Sequence, residues 1–273
     1  MIRKGSTGED VKRLQMLLGI TADGIFGNGT HEAVVAFQRS HGLTPDGIVG
    51  ALTWSALQQD EPQSDVLVIL GTAHGSNTPG KRSPDGRLRE YAWSREIVGR
   101  VETALKEKGY NVEVDLRQDY EPSLAFRVQC VNNLCKKAKQ ALYVSIHINA
   151  AGMGDKWTDA SYWTVWTSRG QTKGDKLATC IWEAAKELLP NKNKVKADWR
   201  DGDADYEENF YVLKNTACPA CLTENLMQDN KADVDWLMSE EGKRIMTEIH
   251  VRGIVNYIKS LPPAPSPKGE GSR

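Results

Sequence analysis

Two histidines stand at the ends of apolar runs that read as buried strands. Val66-Leu67-Val68-Ile69-Leu70-Gly71 leads into His74-Gly75, and Ala141-Leu142-Tyr143-Val144-Ser145-Ile146 leads into His147. The chain has only five histidines, so a shared placement of two is informative. Open α/β sheets carry their sites just beyond the carboxyl ends of strands. The chemistry this suggests is metal-assisted hydrolysis, in which a catalytic zinc takes three protein ligands and leaves a fourth position to water. The third ligand must return to the same sheet edge. Glu90 heads a predicted helix behind the loop 75–86. Asp85, in a turn, and Glu96, about two turns into that helix, compete for the place. A proton acceptor is also required, and Glu224, just beyond a predicted strand over 217–222, can act as general base and then as general acid.

These residues need a scaffold that brings distant strand ends together. Apolar runs predict strands over 65–71, 110–115, 141–148, 161–167, 209–213 and 218–223. Helical periodicity predicts helices over 92–109, 122–139, 172–188 and 239–260. Ile97, Val101 and Leu105 mark the inner face of the first helix; Ile245, Ile249, Ile254 and Ile258 mark that of the last. The alternation implies an α/β fold with a central, mostly parallel or mixed sheet flanked by helices.

Ahead of it lies an internal repeat. Asp23-Gly24-Ile25-Phe26-Gly27 with Thr30 and Ala33 returns 23 residues later as Asp46-Gly47-Ile48-Val49-Gly50 with Thr53 and Ala56. Each copy is a glycine turn entering a helix. With the apolar stripe Val11, Leu14, Leu17 and Leu18, this predicts a small N-terminal three-helix domain. The expected organisation is therefore 1–58 for that domain, 59–64 for a linker, 65–261 for the α/β domain, and 262–273 for a proline-rich, disordered tail.

The front segment resembles the peptidoglycan-binding domain. The residues that carry the likeness are Gly8, Val11, Leu14-Gln15, both Asp-Gly-Ile-x-Gly turns, Ala33-Val34, Phe37-Gln38, Gly42-Leu43, Thr53-Trp54 and Ala56-Leu57. Trp54 is either a sugar-stacking residue or a packed core tryptophan. Residues 65–260 resemble the zinc-dependent N-acetylmuramoyl-L-alanine amidases called amidase 3. The likeness rests on Gly71-Thr72-Ala73-His74-Gly75, on Glu90 heading its helix, on Ser145-Ile146-His147-Ile148-Asn149-Ala150, and on Pro219-Ala220-Cys221-Leu222-Thr223-Glu224-Asn225. It implies His74, Glu90 and His147 as ligands of Zn2+, Glu224 as the catalytic carboxylate, and peptidoglycan (glycan strand with stem peptide) as substrate. Two positions depart from the family pattern. Ala73 precedes the histidine where glycine is frequent, and Ser94 stands four residues after Glu90 where asparagine is common. An endolysin or autolysin is the expected setting.

Other features bound the reading. A formal net charge of -1 gives no basic field for nucleic acid or an acidic membrane. No apolar stretch approaches the roughly 20 residues of a membrane span. No signal peptide is visible, so the expectation is cytoplasmic synthesis and action on the wall after release, or secretion if a leader has been removed. Five cysteines do not form a disulfide framework in a chain this long. Cys218 and Cys221 have redox-motif spacing, but a buried structural role outweighs it. Asp201, Asp203, Asp205, Glu207 and Glu208 are spaced much as in a calcium loop but lack its Gly and final Glu, so a solvated loop is expected. Lys192, Lys194 and Lys196 read as a solvated face. Residues 153–159 read as an added loop that shapes a groove, and Trp157, Trp163 and Trp166 as groove lining or strand packing.

Overall fold

Strand β1 (Val66–Thr72) is buried along its whole length, as a strand covered on both faces must be. It pairs in parallel with β2 (Asn111–Val114) and with β3 (Gln140–Asn149). The computed structural model describes residues 1–59 and 66–262 of the chain. It divides into two compact units, Met1–Ser64 and Asp65–Arg273. Of the expected linker and tail, all but Gln59 and Pro262 lie outside the described residues.

In the larger unit the six strands run in the order β2-β1-β3-β6-β4-β5, with β4 at Thr164–Thr167, β5 at Tyr206–Glu207 and β6 at Ala220–Met227. Strand β4 runs antiparallel to β6; the other pairs are parallel. The period-two alternation of side chains sorts two cores. Val66, Val68, Leu70, Leu142, Val144 and Ile146 pack with one set of helices. That set contains α4 (Glu90–Glu107), α6 (Gly174–Leu188) and α9 (Glu240–Lys259). Leu67, Ile69, Tyr143, Ala220 and Leu222 pack on the opposite face against α5 (Leu124–Cys135) and α7 (Tyr211–Asn215). Continuing the alternation from Tyr143 and Leu222 places Ser145, His147 and Glu224 on this second face.

Three local expectations are corrected. The run 209–213 is not a strand: it enters the short helix α7, because so short an apolar run cannot fix its own period. Helix α8 (Lys231–Met238) was not expected; Asn230 caps it by accepting from the Asp233 amide. Glu224 is not beyond a strand end. It lies inside β6, which runs on through Thr223, Glu224 and Asn225 to Met227.

The smaller unit contains α1 (Glu9–Leu17), α2 (Asn28–Ser40) and α3 (Ala51–Gln59) around Val11, Leu14, Phe26, Val34, Val49 and Leu57. The repeat has a mechanical reason. Buried Gln15 donates to Asp23 Oδ1, Ile25 O and Thr30 Oγ1 and accepts from the Gly24 amide. Buried Gln38 does the same, 23 residues on, with Asp46, Ile48, Thr53 and Gly47. Each glutamine ties a turn to the helix that follows. Gly47 adopts φ +70°, and a Cβ there would fall 2.0 Å from the His31 ring, so the turn demands glycine. Trp54 is half-buried against this core, with the Arg13 guanidinium 5.7 Å from its ring centroid.

Candidate active site

The structure brings His74, Glu90 and His147 together, with one ligand atom from each lying within 4.8 Å of the others. Three elements supply them. His74 follows β1, Glu90 opens α4, and His147 stands near the end of β3. Asp85 and Glu96 lie elsewhere. Asp85 accepts from Ser83 and Arg87 in its turn, and Glu96 pairs with Arg100 and Lys243 on the outside of α4.

His74 has φ +43°, in the left-handed region that a histidine rarely adopts. Arg95 holds it there, donating to the carbonyls of His74 and Ala73 at 3.0 and 3.1 Å. Ser94 accepts from the Ala73 amide at 2.8 Å and donates to Ile146 O at 2.6 Å, so one hydroxyl joins α4 to β1 and β3. Below the site Asp115 accepts from the Thr72 amide, Tyr143 Oη and Arg127 Nη1. That buried cluster fixes the end of β1.

Glu90 is almost wholly buried. Its Oε1 accepts from the Ile148 amide at 3.1 Å and lies 3.2 Å from His147 Nδ1 and 3.6 Å from His74 Nε2. Its Oε2 is buried with no partner. Burial raises the pKa of Glu90, but the hydrogen bond and charge of His147, with His74 and Lys81, outweigh it and hold the carboxyl below its usual range. Burial pushes His147 down, against the pull of Glu90. A neutral imidazole is the form that ligates a metal.

The outward ring nitrogens also have partners. His74 Nδ1 is 3.5 Å from Glu121 Oε2, and His147 Nε2 is 3.0 Å from Ser145 Oγ. Such outer contacts fix the orientation of a ligating imidazole. Glu121 is lowered to about 2: burial opposes its charge, but the hydrogen bonds from His74 and Thr78 prevail. Two imidazoles, one carboxylate with an unpartnered oxygen, and oriented outer nitrogens fit a divalent metal with mixed N/O preference.

Glu224 is the register partner of His147 across the parallel β3–β6 pair. Its Oε2 too is buried and unpartnered. Burial raises its pKa well above the usual carboxylate range; Glu90 adds to the rise and Lys81 opposes it. Asn225, in the next position, donates to His147 O at 2.8 Å and accepts from Trp163 Nε1 at 2.8 Å. A cavity of about 220 Å³ opens over these groups, lined by His74, His147, Glu224, Lys81, Leu222 and Tyr211 among others.

A sequence-family model described as N-acetylmuramoyl-L-alanine amidase matches residues 68–256. The chain belongs to that family. A second model, described as putative peptidoglycan binding domain, matches residues 7–57. This amidase is 29% identical over 198 residues to the endolysin of Bacillus phage SPP1, an alignment that takes in 70% of this chain and 66% of that one. It is 27% identical over 191 residues to the N-acetylmuramoyl-L-alanine amidase CwlM of Bacillus licheniformis, covering 69% of this chain and 67% of the relative. The solved N-acetylmuramoyl-L-alanine amidase from Clostridium difficile 630 superposes with a TM-score of 0.61 at 24% identity, over 72% of this chain and 98% of that one. At that identity the superposition establishes a shared fold.

Glu121, Arg127 and Asp115 were not singled out in the sequence, and Ser145 entered only as part of the block around His147. Glu121 lies 47 residues from His74 in a loop without periodic signal. One further expectation changes. Asp205 is not solvated: its side chain is buried and accepts from Thr167. Cys218 and Cys221 are both free thiols: Cys221 is buried in the sheet, and the thiol beside Cys218 is that of Cys135. Of the three tryptophans, Trp163 is buried, Trp157 is exposed, and Trp166 backs Phe210 with ring centroids 5.6 Å apart. Among the described residues no helix is long and apolar enough to cross a membrane.

Proposed function

We propose that this amidase hydrolyses the amide between the lactyl group of N-acetylmuramic acid and the L-alanine of the stem peptide, with His74, Glu90 and His147 holding Zn2+ and Glu224 moving the proton. One observation carries the reading: Glu224 stands partly buried beside the ligand cluster, is raised in pKa, and keeps its Oε2 buried without a hydrogen-bond partner. Bound zinc would supply Lewis acidity towards the scissile carbonyl and bring the pKa of a water to about 7. Glu224 then accepts a proton from the attacking water and returns one to the departing amine nitrogen. A carboxyl raised by burial is suited to both halves of that cycle. Glu121 and Ser145 hold the two imidazoles in place, and Asn225 fixes the backbone of His147. Leu222 and Tyr211 form apolar wall on the α7 side and exclude water.

Residues 1–58 form the wall-anchoring domain in this reading, 65–261 the catalytic domain, and peptidoglycan is the partner of both. The match to a phage endolysin supports a lytic role, released late. The test is digestion of purified wall with and without chelator, followed by mass spectrometry of the new termini. L-alanine amino termini paired with muramic lactyl carboxyls are expected, and only without chelator. New reducing sugars, or D-amino-acid release, would overturn the assignment.

A further inference from the structure

Beside the catalytic cavity lies a second cavity of about 240 Å³ with a different lining. Its walls include Lys81, Arg82 and Arg89, with Ser76, Thr78 and Tyr91, and no acidic side chain. Lys81 lines both cavities. The cations stand on a small built hairpin. Arg82 and Arg89 are antiparallel bridge partners, the Ser83 amide donates to Leu88 O at 2.9 Å, and Gly86 turns the chain at φ +73°. The Glu90 amide donates to Lys81 O at 3.1 Å, so the hairpin is tied to the first residue of α4.

Like charges directly opposite each other on a strand pair are destabilising. Among the described residues, the side chains of Lys81, Arg82 and Arg89 make no ion pair or hydrogen bond that would offset this. The neighbouring acid Asp85 is taken by Ser83 and Arg87. Two unpaired arginines, with Lys81 and the hydroxyls of Ser76 and Tyr91, around one cavity are complementary to an anion.

Resting on the amidase reading, we infer that this cavity is a carboxylate subsite for the stem peptide, on the L-alanine side of the scissile bond. The sugar side of that bond offers hydroxyl and acetamide groups once its lactyl carboxyl is in amide linkage, whereas free carboxylates belong to the peptide. Because Lys81 lies on both walls, the anion is held one or two residues from the bond, at about 3.5 Å of extended chain per residue. The subsite makes the enzyme selective for stems whose residue after L-alanine carries a free carboxylate over stems in which that group is a primary amide.

The test uses the full chain loaded with zinc and two synthetic muramoyl peptides that differ only in that group. The free acid should show a kcat/KM roughly tenfold higher, the share of a charge-assisted contact open to water. Rising salt should erode the ratio. In Arg82→Gln/Arg89→Gln the ratio should fall towards one, with metal content and melting temperature held, and Arg82→Lys/Arg89→Lys should recover most of it. The same two peptides without sugar are titrated calorimetrically, which reads the subsite whether or not the bond is cut. Tighter binding of the acid by wild type, lost in the glutamine variant, supports the inference. Equal binding of acid and amide overturns it, as does a preference the glutamine variant retains. Faster cutting of walls that keep their phosphate polymer, with no preference between the peptides, assigns the cations to phosphate and also overturns it. Failure to cleave either muramoyl peptide would sink the amidase reading, while the titration still decides the subsite.

Discussion

The two units bury polar side chains in opposite ways. In the front unit Gln15 and Gln38 each meet three acceptors and one donor, so both ends of each amide are engaged inside the fold. In the catalytic unit Glu90 is just as deeply placed and Glu224 is partly buried, yet each keeps Oε2 buried without a partner. An unmet buried polar group costs about 1–3 kcal/mol, more when charged. A closed network is architecture: it sets a turn and asks for nothing further. An open one needs a metal, a water or a proton to complete it, and that need is what makes it a site.

Breaking the open network should have the larger effects. His147→Ala removes one donor of three, and bound zinc by elemental analysis should fall from one per chain to none, with amide cleavage below detection. Retained metal would take His147 out of the ligand set. Glu224→Ala leaves the donors in place, so metal should stay while cleavage of muramoyl peptide falls about 10²- to 10⁴-fold, the usual worth of a general acid–base. Residual activity near wild type would remove Glu224 from the proton path.

The closed network should fail by unfolding instead. Gln38→Leu strands the Gly47 amide, the Ile48 carbonyl, Asp46 and Thr53 together, a loss on the order of 2–4 kcal/mol. A unit this small has little margin. Hydrogen exchange at Gly47 should rise to near the unprotected rate, and unchanged protection would show that the glutamine is dispensable.

What was legible in the sequence follows the same division. Strands β1 and β3 were plain because a strand covered on both faces is an unbroken apolar run. The repeat was plain because both copies solve one problem with the same residues. Strand β6 was cut short at 222 or 223, because the polar Thr223, Glu224 and Asn225 break the apolar run where function places polar groups in a buried strand. Asn225 pairs with His147 O and Trp163, partners 78 and 62 residues away in sequence. Glu121 had no signal for the same reason. Its meaning comes from His74 Nδ1, and only folding brings the two together. The two departures from the family pattern stand in contact, the Ser94 hydroxyl accepting from the Ala73 backbone amide.

Glu121 sharpens the comparison with a smaller effect. It touches no other member of the donor set except His74, through the nitrogen facing away from the cluster. Glu121→Gln should weaken zinc about 10- to 100-fold, the range for outer partners of ligating histidines. Competition with a chelator of known affinity reads this directly. Unchanged affinity would leave Glu121 as a partner of Thr78 and Arg127 only.

Asp205 is a third way to bury a carboxyl, closed by a proton. Its side chain is buried, Thr167 donates to Oδ2, and both Asp205 Oδ1 and Asp203 Oδ1 lack partners. One proton shared between the two acids would satisfy both atoms. Burial, then the neighbouring Asp203 and Asp175, raise Asp205 to about 8 against the bond from Thr167. An unfolded aspartate titrates near 3.9. Between about pH 4 and 8 the folded chain therefore binds more protons than the unfolded one. The stabilisation is complete below pH 4 and is lost as pH rises through 8. Asp205→Asn keeps an acceptor for Thr167 and a donor for Asp203 at every pH. Its melting temperature should match wild type near pH 4 and exceed it by a few degrees at pH 8. A wild-type profile without that decline would mean that Asp205 is charged in the fold, and that the gap between the two acids is open in the same sense as the gap at Glu90.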